Sequence, residues 1–314
     1  IVAVAISAPS FIDWNRYREP IAARVENVVG HPVEIAGDID FTILPSPALS
    51  VRDVRIANPD GAAAPAFVSL ESLDVQLAFG PLLRGEFQLR LVVLQDPELN
   101  FEVLPDGRTN WSFAQAPTAD DGAEAPAVTV DNFVVRGGTV TYRDSARGIA
   151  VVLEDIEAEI TAESLAGPFQ ARGRFQLAGL PLNFTAASGA LGSGRPAGIR
   201  LDLVLGGPGD HLLFRGTHSV QDGDWALRGD LTLEGEDFAA AAQVLATALE
   251  TAPPALRGLG VPYELTATVA VSPTEAGLNE IDISLADMGA TGGINVALGD
   301  SPRFDAALAL TQVD

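Results

Sequence analysis

The chain contains no cysteine. That excludes a disulfide framework, thiolate metal sites and cysteine nucleophiles. Histidine is scarce: His31, His211 and His218 are the three, and no two have metal-ligand spacing on a helix. Only three Trp and three Tyr are present. Basic residues are outnumbered, with 19 Lys and Arg against 42 Asp and Glu, for a formal net charge of −23. So acidic a surface repels phosphate backbones and offers no counterion release, which argues against nucleic acid as a partner. It also argues against a protein that lies flat on anionic lipid. Charge of this kind keeps an apolar β protein soluble.

What remains is strongly apolar. Hydrophobic residues make up 47% of 314 residues and charged ones 19%, with a mean hydropathy of +0.22. Such a length allows two ordinary domains or one long β architecture. Uncharged residues open the chain, Ile1-Val2-Ala3-Val4-Ala5-Ile6-Ser7-Ala8. A bilayer span takes about 20 residues, so residues 1–10 are expected to be the C-terminal end of a transmembrane helix. The remnant of a signal-peptide core is the alternative. Pro9 stops the run. Phe11, Trp14, Arg16, Tyr17 and Arg18 then form an aromatic and basic cluster suited to a membrane–water interface, or else an ordinary amphipathic loop. Pro20 fits the first turn of a short helix. Ile21, Val25, Val28 and Val29 share one face of it, and Gly30 and Pro32 end it.

From Val33 the hydrophobic period becomes two. Leu73, Val75, Leu77 and Phe79 alternate, as do Phe87, Leu89, Leu91 and Val93. Leu201, Leu203 and Leu205 alternate, and Leu231 and Leu233 continue the theme after Trp225 and Leu227. Alternation of this kind gives each strand one apolar and one polar face. Turn signals recur at Asp106-Gly107, Gly137-Gly138, Asp222-Gly223 and Gly292-Gly293. About 18 strands are expected, paired antiparallel between sequence neighbours; in one sheet they would extend about 85 Å. A sheet that large curls or splits, and a curled sheet with its apolar face inward is a trough. The fold class is therefore mainly β: a long curled antiparallel sheet forming an elongated apolar groove. A short helix follows the membrane anchor, and one internal helix interrupts the sheet. The expected division is 11–32 juxtamembrane segment and short helix, 33–113 first β region, 114–126 loop or linker, and 127–314 continuing groove. Residues 237–251 read as the internal helix, with Asp237 as cap and Phe238, Ala242, Leu245 and Leu249 on one face. Its expected place is over an apolar opening or at one end of the sheet.

Catalytic chemistry finds little support. Asp120-Asp121 and Glu154-Asp155 are adjacent carboxylates, but on a strand neighbours point to opposite faces. General acid–base work needs carboxyls converging in a cleft. Asp282 alternates with Ile281 and Ile283 and belongs to an outer face. Gly189 to Gly194 is glycine-rich, yet no Lys and helix follow, so it is not a phosphate loop. No strand–Ser–helix elbow supports a triad. The expectation is a non-enzyme without metal or cofactor.

Six segments in order resemble one family. They are Phe11 to Ile21, Gly30 to Ile39, Leu44 to Leu49, Asp53 to Pro59, Leu70 to Val75 and Pro105 to Trp111. Together they are similar to the N-terminal region of AsmA-family proteins; beyond about residue 125 only the strand texture is shared. The resemblance implies an inner-membrane protein with a single N-terminal helix and its bulk in the periplasm of a Gram-negative bacterium. It implies a β-groove like that of chorein-type bridge proteins, with phospholipids as partners and outer-membrane integrity as the purpose. The expected function is to hold or move phospholipid acyl chains. Candidates for the groove lining are Leu73, Val75, Leu77, Phe79, Phe87, Leu89, Leu91, Val93, Leu201, Leu203, Leu205, Leu231 and Leu233. The alternative is a structural or assembly protein docking on a larger inner-membrane complex.

Overall fold

The computed structural model describes residues 13–44, 46–82, 84, 88–111, 129–145, 148–162, 167–190, 195–205, 209–221, 224–248, 259–298 and 303–312. The expected membrane-helix end at 1–10 and the loop at 114–126 lie outside those residues. Two compact units divide the chain, Ile1–Leu165 and Ala166–Asp314. Both are mainly β, with eighteen strands and three helices among the described residues. None of the described helices is long and apolar enough to cross a membrane.

The first unit opens with a 3-10 turn at Trp14–Tyr17, capped by Asp13, whose carboxylate accepts from Asn15 N at 3.1 Å. Helix α1, Arg18–Val29, follows. Gly30 ends it at φ 76, a left-handed position that costs a glycine nothing. Then come β1 Val33–Ile35, β2 Ile39–Thr42, β3 Ala48–Ala57 and β4 Ala66–Leu77. The single-turn α2, Phe79–Leu82, leads to β5 Gln88–Gln95, β6 Glu98–Val103, β7 Thr129–Val130, β8 Asn132–Asp144 and β9 Ile149–Ala162. Strands β1 and β2 both pair with β3, and β5 and β6 both pair with β4, so each couple is one strand broken in the middle.

The breaks line up as a crease across the sheet. It runs through Gly37, Asp53, Asp96 and Gly137 to Asp155, and all but Gly37 have positive φ (50, 47, 65 and 49). Aspartate tolerates that region better than most residues. At Gly137 a Cβ would also collide with the Asp96 carboxylate. The crease resets the alternation. Leu49 and Val51 precede it on β3, Val54 follows it, and all three pack in one cluster with Ile35 and Ile39. A left-handed residue thus keeps the apolar side chains of both half-strands on one face. Trp14, Ile21 and Ala22 pack onto this cluster, so α1 covers that end of the face.

One expectation about pairing is corrected. Strand β8 runs parallel to both β5 and β6, with Leu94 beside Val135 and Phe101 beside Tyr142. Parallel pairing needs a connection of a dozen residues or more, and the chain between Val103 and Thr129 is long enough.

The second unit is a nine-strand antiparallel meander. It comprises β10 Phe169–Leu177, β11 Leu180–Ser188, β12 Ala197–Leu205, β13 His211–Gln221 and β14 Asp224–Gly235. Helix α3, Phe238–Ala248, is followed by β15 Tyr263–Val271, β16 Glu275–Leu285, β17 Met288–Ala297 and β18 Arg303–Gln312. Here every pairing joins sequence neighbours, as expected. Asp237 caps α3, its carboxylate accepting from Ala240 N at 2.9 Å, as the sequence indicates.

Candidate functional site: the apolar sheet faces

The register of the second unit sorts its residues into two faces. Phe175, Leu182 and Leu205 stand side by side on β10 to β12. The next row across is Phe184, Leu203, Leu212, Leu233, Leu265 and Ile283. Beside it run Ala186, Leu201, Phe214, Leu231 and Ala267. The opposite face carries Arg172, Arg174, Arg200, Asp202, Arg215, Asp230 and Glu264. One side of nine strands is therefore almost wholly hydrocarbon, about 38 Å across at strand spacing. The face is only partly covered. Phe214 and Ala267 are buried, most of their neighbours are half-buried, and Val220 and Trp225 are 55% and 41% exposed. At β16 the left-handed Glu280 repeats the reset, keeping Leu278 and Ile281 on this face.

The two ends of these strands differ. Where β14 ends and β15 begins, α3 intervenes, and Phe238 packs edge-on against Tyr263 at 5.6 Å between ring centroids. Tyr263 is 5% exposed and its hydroxyl has no hydrogen-bond partner. Burial pushes its phenol up to about 12, helped by the Asp210 and Asp237 carboxylates. The helix thus lies at one end of the apolar face, as expected; Leu249 falls outside the described residues. At the other end, Trp225 and Val220 pair next to the β13–β14 turn.

The first unit has a smaller apolar face. Leu73, Val75 and Leu77 of β4 stand beside Leu94, Val92 and Leu89 of β5. Phe133 and Val135 of β8, then Ile160 and Ala158 of β9, extend the row. Beyond the crease, Phe67, Phe101, Trp111 and Tyr142 form a chain of tilted and edge-on rings 5.6 to 6.2 Å apart. Below them a buried polar knot ties loop to sheet. Asn110 donates to Asn58 and the Asn100 carbonyl, and Glu102 accepts from Ala63 N and Ser145 Oγ.

The candidate groove residues fall as follows. Leu73, Val75, Leu77, Leu89, Leu201, Leu203, Leu205, Leu231 and Leu233 lie on the apolar faces. Leu91 and Val93 do not: they pair with Gln76 and Asp74 on the other face. The cause is a register irregularity between Gln76 and Leu77, which shifts β5 by one residue and brings Val92 and Leu94 inward. Phe79 lies in α2 and is exposed, and Phe87 falls outside the described residues. Alternation also overlooked Phe184, Leu212 and Phe214, although Leu212 and Phe214 are themselves two apart in sequence. Of the interface candidates, Phe11 lies outside the described residues. Trp14 packs against Tyr17 and Phe41, Arg16 and Tyr17 are exposed, and Arg18 binds Asn15 at 3.0 Å. Asp120 and Asp121 lie outside the described residues, Glu154 and Asp155 are exposed at the crease, and Asp282 is on the polar face opposite Thr266. A cleft of about 390 Å³ opens on the polar side of the first unit, lined by Glu34, Arg55, Ser69, Glu98 and Asn100 among others. Among the described residues no three His, Asp or Glu gather as a metal site.

The AsmA family model matches residues 1–296. The chain is similar to the AsmA family protein YhjG of Escherichia coli (strain K12), at 22% identity over 245 residues. That match covers 66% of this chain and 35% of the relative, so the chain spans about a third of that protein's length. No solved structure matches. A mainly β chain whose sheets each keep one apolar side, matched by the family model along nearly its whole length, belongs to the AsmA family.

Proposed function

We propose that this protein binds lipid, its apolar sheet faces holding phospholipid acyl chains for storage or transfer in the cell envelope. The observation that carries this reading is the second unit's nine-strand face, apolar in row after row yet only half-buried. An ordinary core would be covered by a second layer. A face left part-open in hydrocarbon gains about 0.8 kcal/mol for each methylene laid on it, so two acyl chains are held without any specific side chain. Family membership points to the envelope. A single N-terminal inner-membrane anchor with the bulk in the periplasm, a curled groove, and a role in outer-membrane integrity belong to the same proposal. So does the absence of an enzymatic step.

The test is native mass spectrometry of the purified chain, with lipid extracted from the same sample. Phospholipid is expected in the parent and strongly reduced in Leu203→Asp and Leu231→Asp, each folded by circular dichroism. Equal lipid in parent and folded variants would remove the reading. The scaffold alternative has one observation in its favour. Strand β18 is exposed from Arg303 to Thr311, with Phe304 and Leu310 at 76% and 90% exposure, and such a strand suits docking by another chain. A stoichiometric protein partner in mild detergent, with no lipid, would establish that instead.

A further inference from the structure

The cleft of about 390 Å³ on the polar side of the first unit has a charge order that the strand register fixes. Glu34 on β1 stands opposite Arg55 on β3, Arg55 opposite Ser69 on β4, and Ser69 opposite Glu98 on β6. One row of the cleft therefore runs carboxylate, guanidinium, hydroxyl, carboxylate. Pro32, Ala57, Pro65 and Ala66 add small apolar wall beside it. Opposite charges facing each other across a strand pair ordinarily join. Here Ser69 Oγ donates to Glu98 Oε2 at 3.2 Å, drawing that carboxylate toward β4. Glu34 and Arg55 form no ion pair or side-chain hydrogen bond among the described residues.

The walls are held from behind by the buried polar knot. Asn58 Nδ2 donates to Ala64 O at 2.8 Å, and Ala63 N donates to Glu102 Oε2 at 2.8 Å. Asn110, 1% exposed, donates to Asn58 in turn. These bonds pin the loop that ends at Pro65, and Asn100 Nδ2 pins Ala66 through its carbonyl at 3.1 Å. On the other wall Ala57 N donates to Pro32 O at 2.9 Å. Burying polar groups is costly unless they are bonded, and here their bonding fixes the shape of the cleft before any ligand enters.

We propose that this cleft binds a free diamino acid, with its α-carboxylate on Arg55, its α-ammonium on Glu34 and its side-chain ammonium on Glu98. A row charged minus, plus, minus is complemented by a ligand charged plus, minus, plus. A guanidinium takes a carboxylate in a two-bond fork. Glu34 is one strand spacing from Arg55, about 5 Å, which suits the adjoining amino and carboxyl groups of an α-amino acid. Glu98 lies two spacings from Arg55, about 10 Å at the backbone and less at the side-chain tips, which suits a second amine on a short chain. The volume falls within the range of small-molecule sites. A ligand with one net positive charge also suits a chain of net charge −23, whose field gathers cations and repels anions. A residue inside a peptide has lost an α-group and would leave Glu34 or Arg55 without its partner. All these groups are on the polar side, so the inference does not depend on the lipid-binding reading.

Isothermal titration calorimetry of the full chain with L-lysine tests this. Norleucine, which lacks the side-chain ammonium, and cadaverine, which lacks the carboxylate, are the comparisons. Each is expected to bind about tenfold more weakly than lysine, the effect of losing a charge-assisted hydrogen bond. Cadaverine carries more positive charge than lysine, so its lower rank separates a built site from general attraction to an acidic surface. In Arg55→Gln lysine should fall to the level of cadaverine, and in Glu98→Gln to that of norleucine, both variants folded by circular dichroism. Glu264→Gln, in the second unit, should bind lysine as the parent does. A folded parent that does not bind lysine overturns the proposal. So does cadaverine binding as tightly as lysine, or lysine binding that Arg55→Gln leaves unchanged.

Discussion

Asp53 shows how much one backbone angle decides. At φ 50 it bends β3, its carbonyl accepts from Ala36 N at 2.9 Å, and the half-strands around it share one apolar face. Asp53→Gly should keep the bend and change stability by no more than about 1 kcal/mol, because glycine reaches this conformation freely. Asp53→Val should cost about 1–2 kcal/mol, since a branched side chain resists left-handed geometry. Urea denaturation of the two variants checks the pair; equal stabilities would mean that the angle carries no strain. The crease also crowds carboxylates. A hydrogen bond that its protonated form donates to Asp96, together with the Asp96 charge, pushes the Glu71 carboxyl up from its ordinary value. Tyr263 makes a cleaner titration. Its phenol is raised from 10.0 to about 12, so the native state holds that proton more tightly than the unfolded chain. The associated stability is fully present below pH 10 and is lost as pH rises toward 12. Tyr263→Phe should flatten the stability profile in that window, and its difference spectrum against the parent should show one phenol titrating near 12. A phenol titrating near 10 would show that the group is not shielded.

At the scale of elements, register outranks alternation. Val92 is 4% exposed and faces Val75, whereas Val93 pairs with Asp74. Val92→Ala should destabilise by about 2 kcal/mol and Val93→Ala by clearly less, as thermal or urea unfolding would show. The reverse order would place the β5 slip elsewhere. Helix α3 depends on its cap: Asp237→Ala removes the acceptor for Ala240 N and should cost about 1 kcal/mol, with part of the helical circular dichroism lost first. Capping residues of this kind are readable in sequence, and Asp237 and Gly30 were both legible there. The slip at Gln76–Leu77 was not, because it depends on which residues of β4 and β5 meet, and that is settled across strands rather than along one.

For the whole molecule, apolar faces and a net charge of −23 oppose each other. The basic side of that balance is carried entirely by arginine, for the sequence holds no lysine. Repulsion keeps half-buried faces of separate molecules apart. Light scattering should therefore rise steeply as pH approaches 4.3, where the net charge vanishes. Bound phospholipid should suppress that rise by covering the faces. If lipid leaves the profile unchanged, the apolar faces are not the associating surfaces.

The sequence by itself determined the β class, the period-two strands, the two capped helices and the existence of one apolar side on each strand. These follow from local chemistry: side chains two apart share a face, and caps satisfy nearby backbone groups. Most of the lining was legible for that reason, from Leu73 to Leu233. Tertiary structure alone decided the parallel placement of β8 and the single face shared across Asp53. It also decided the inward turn of Val92 and Leu94. The reason is the same in each case. Pairing register and left-handed residues are fixed by contacts between distant segments, and a pattern read along one strand contains no information about its neighbour.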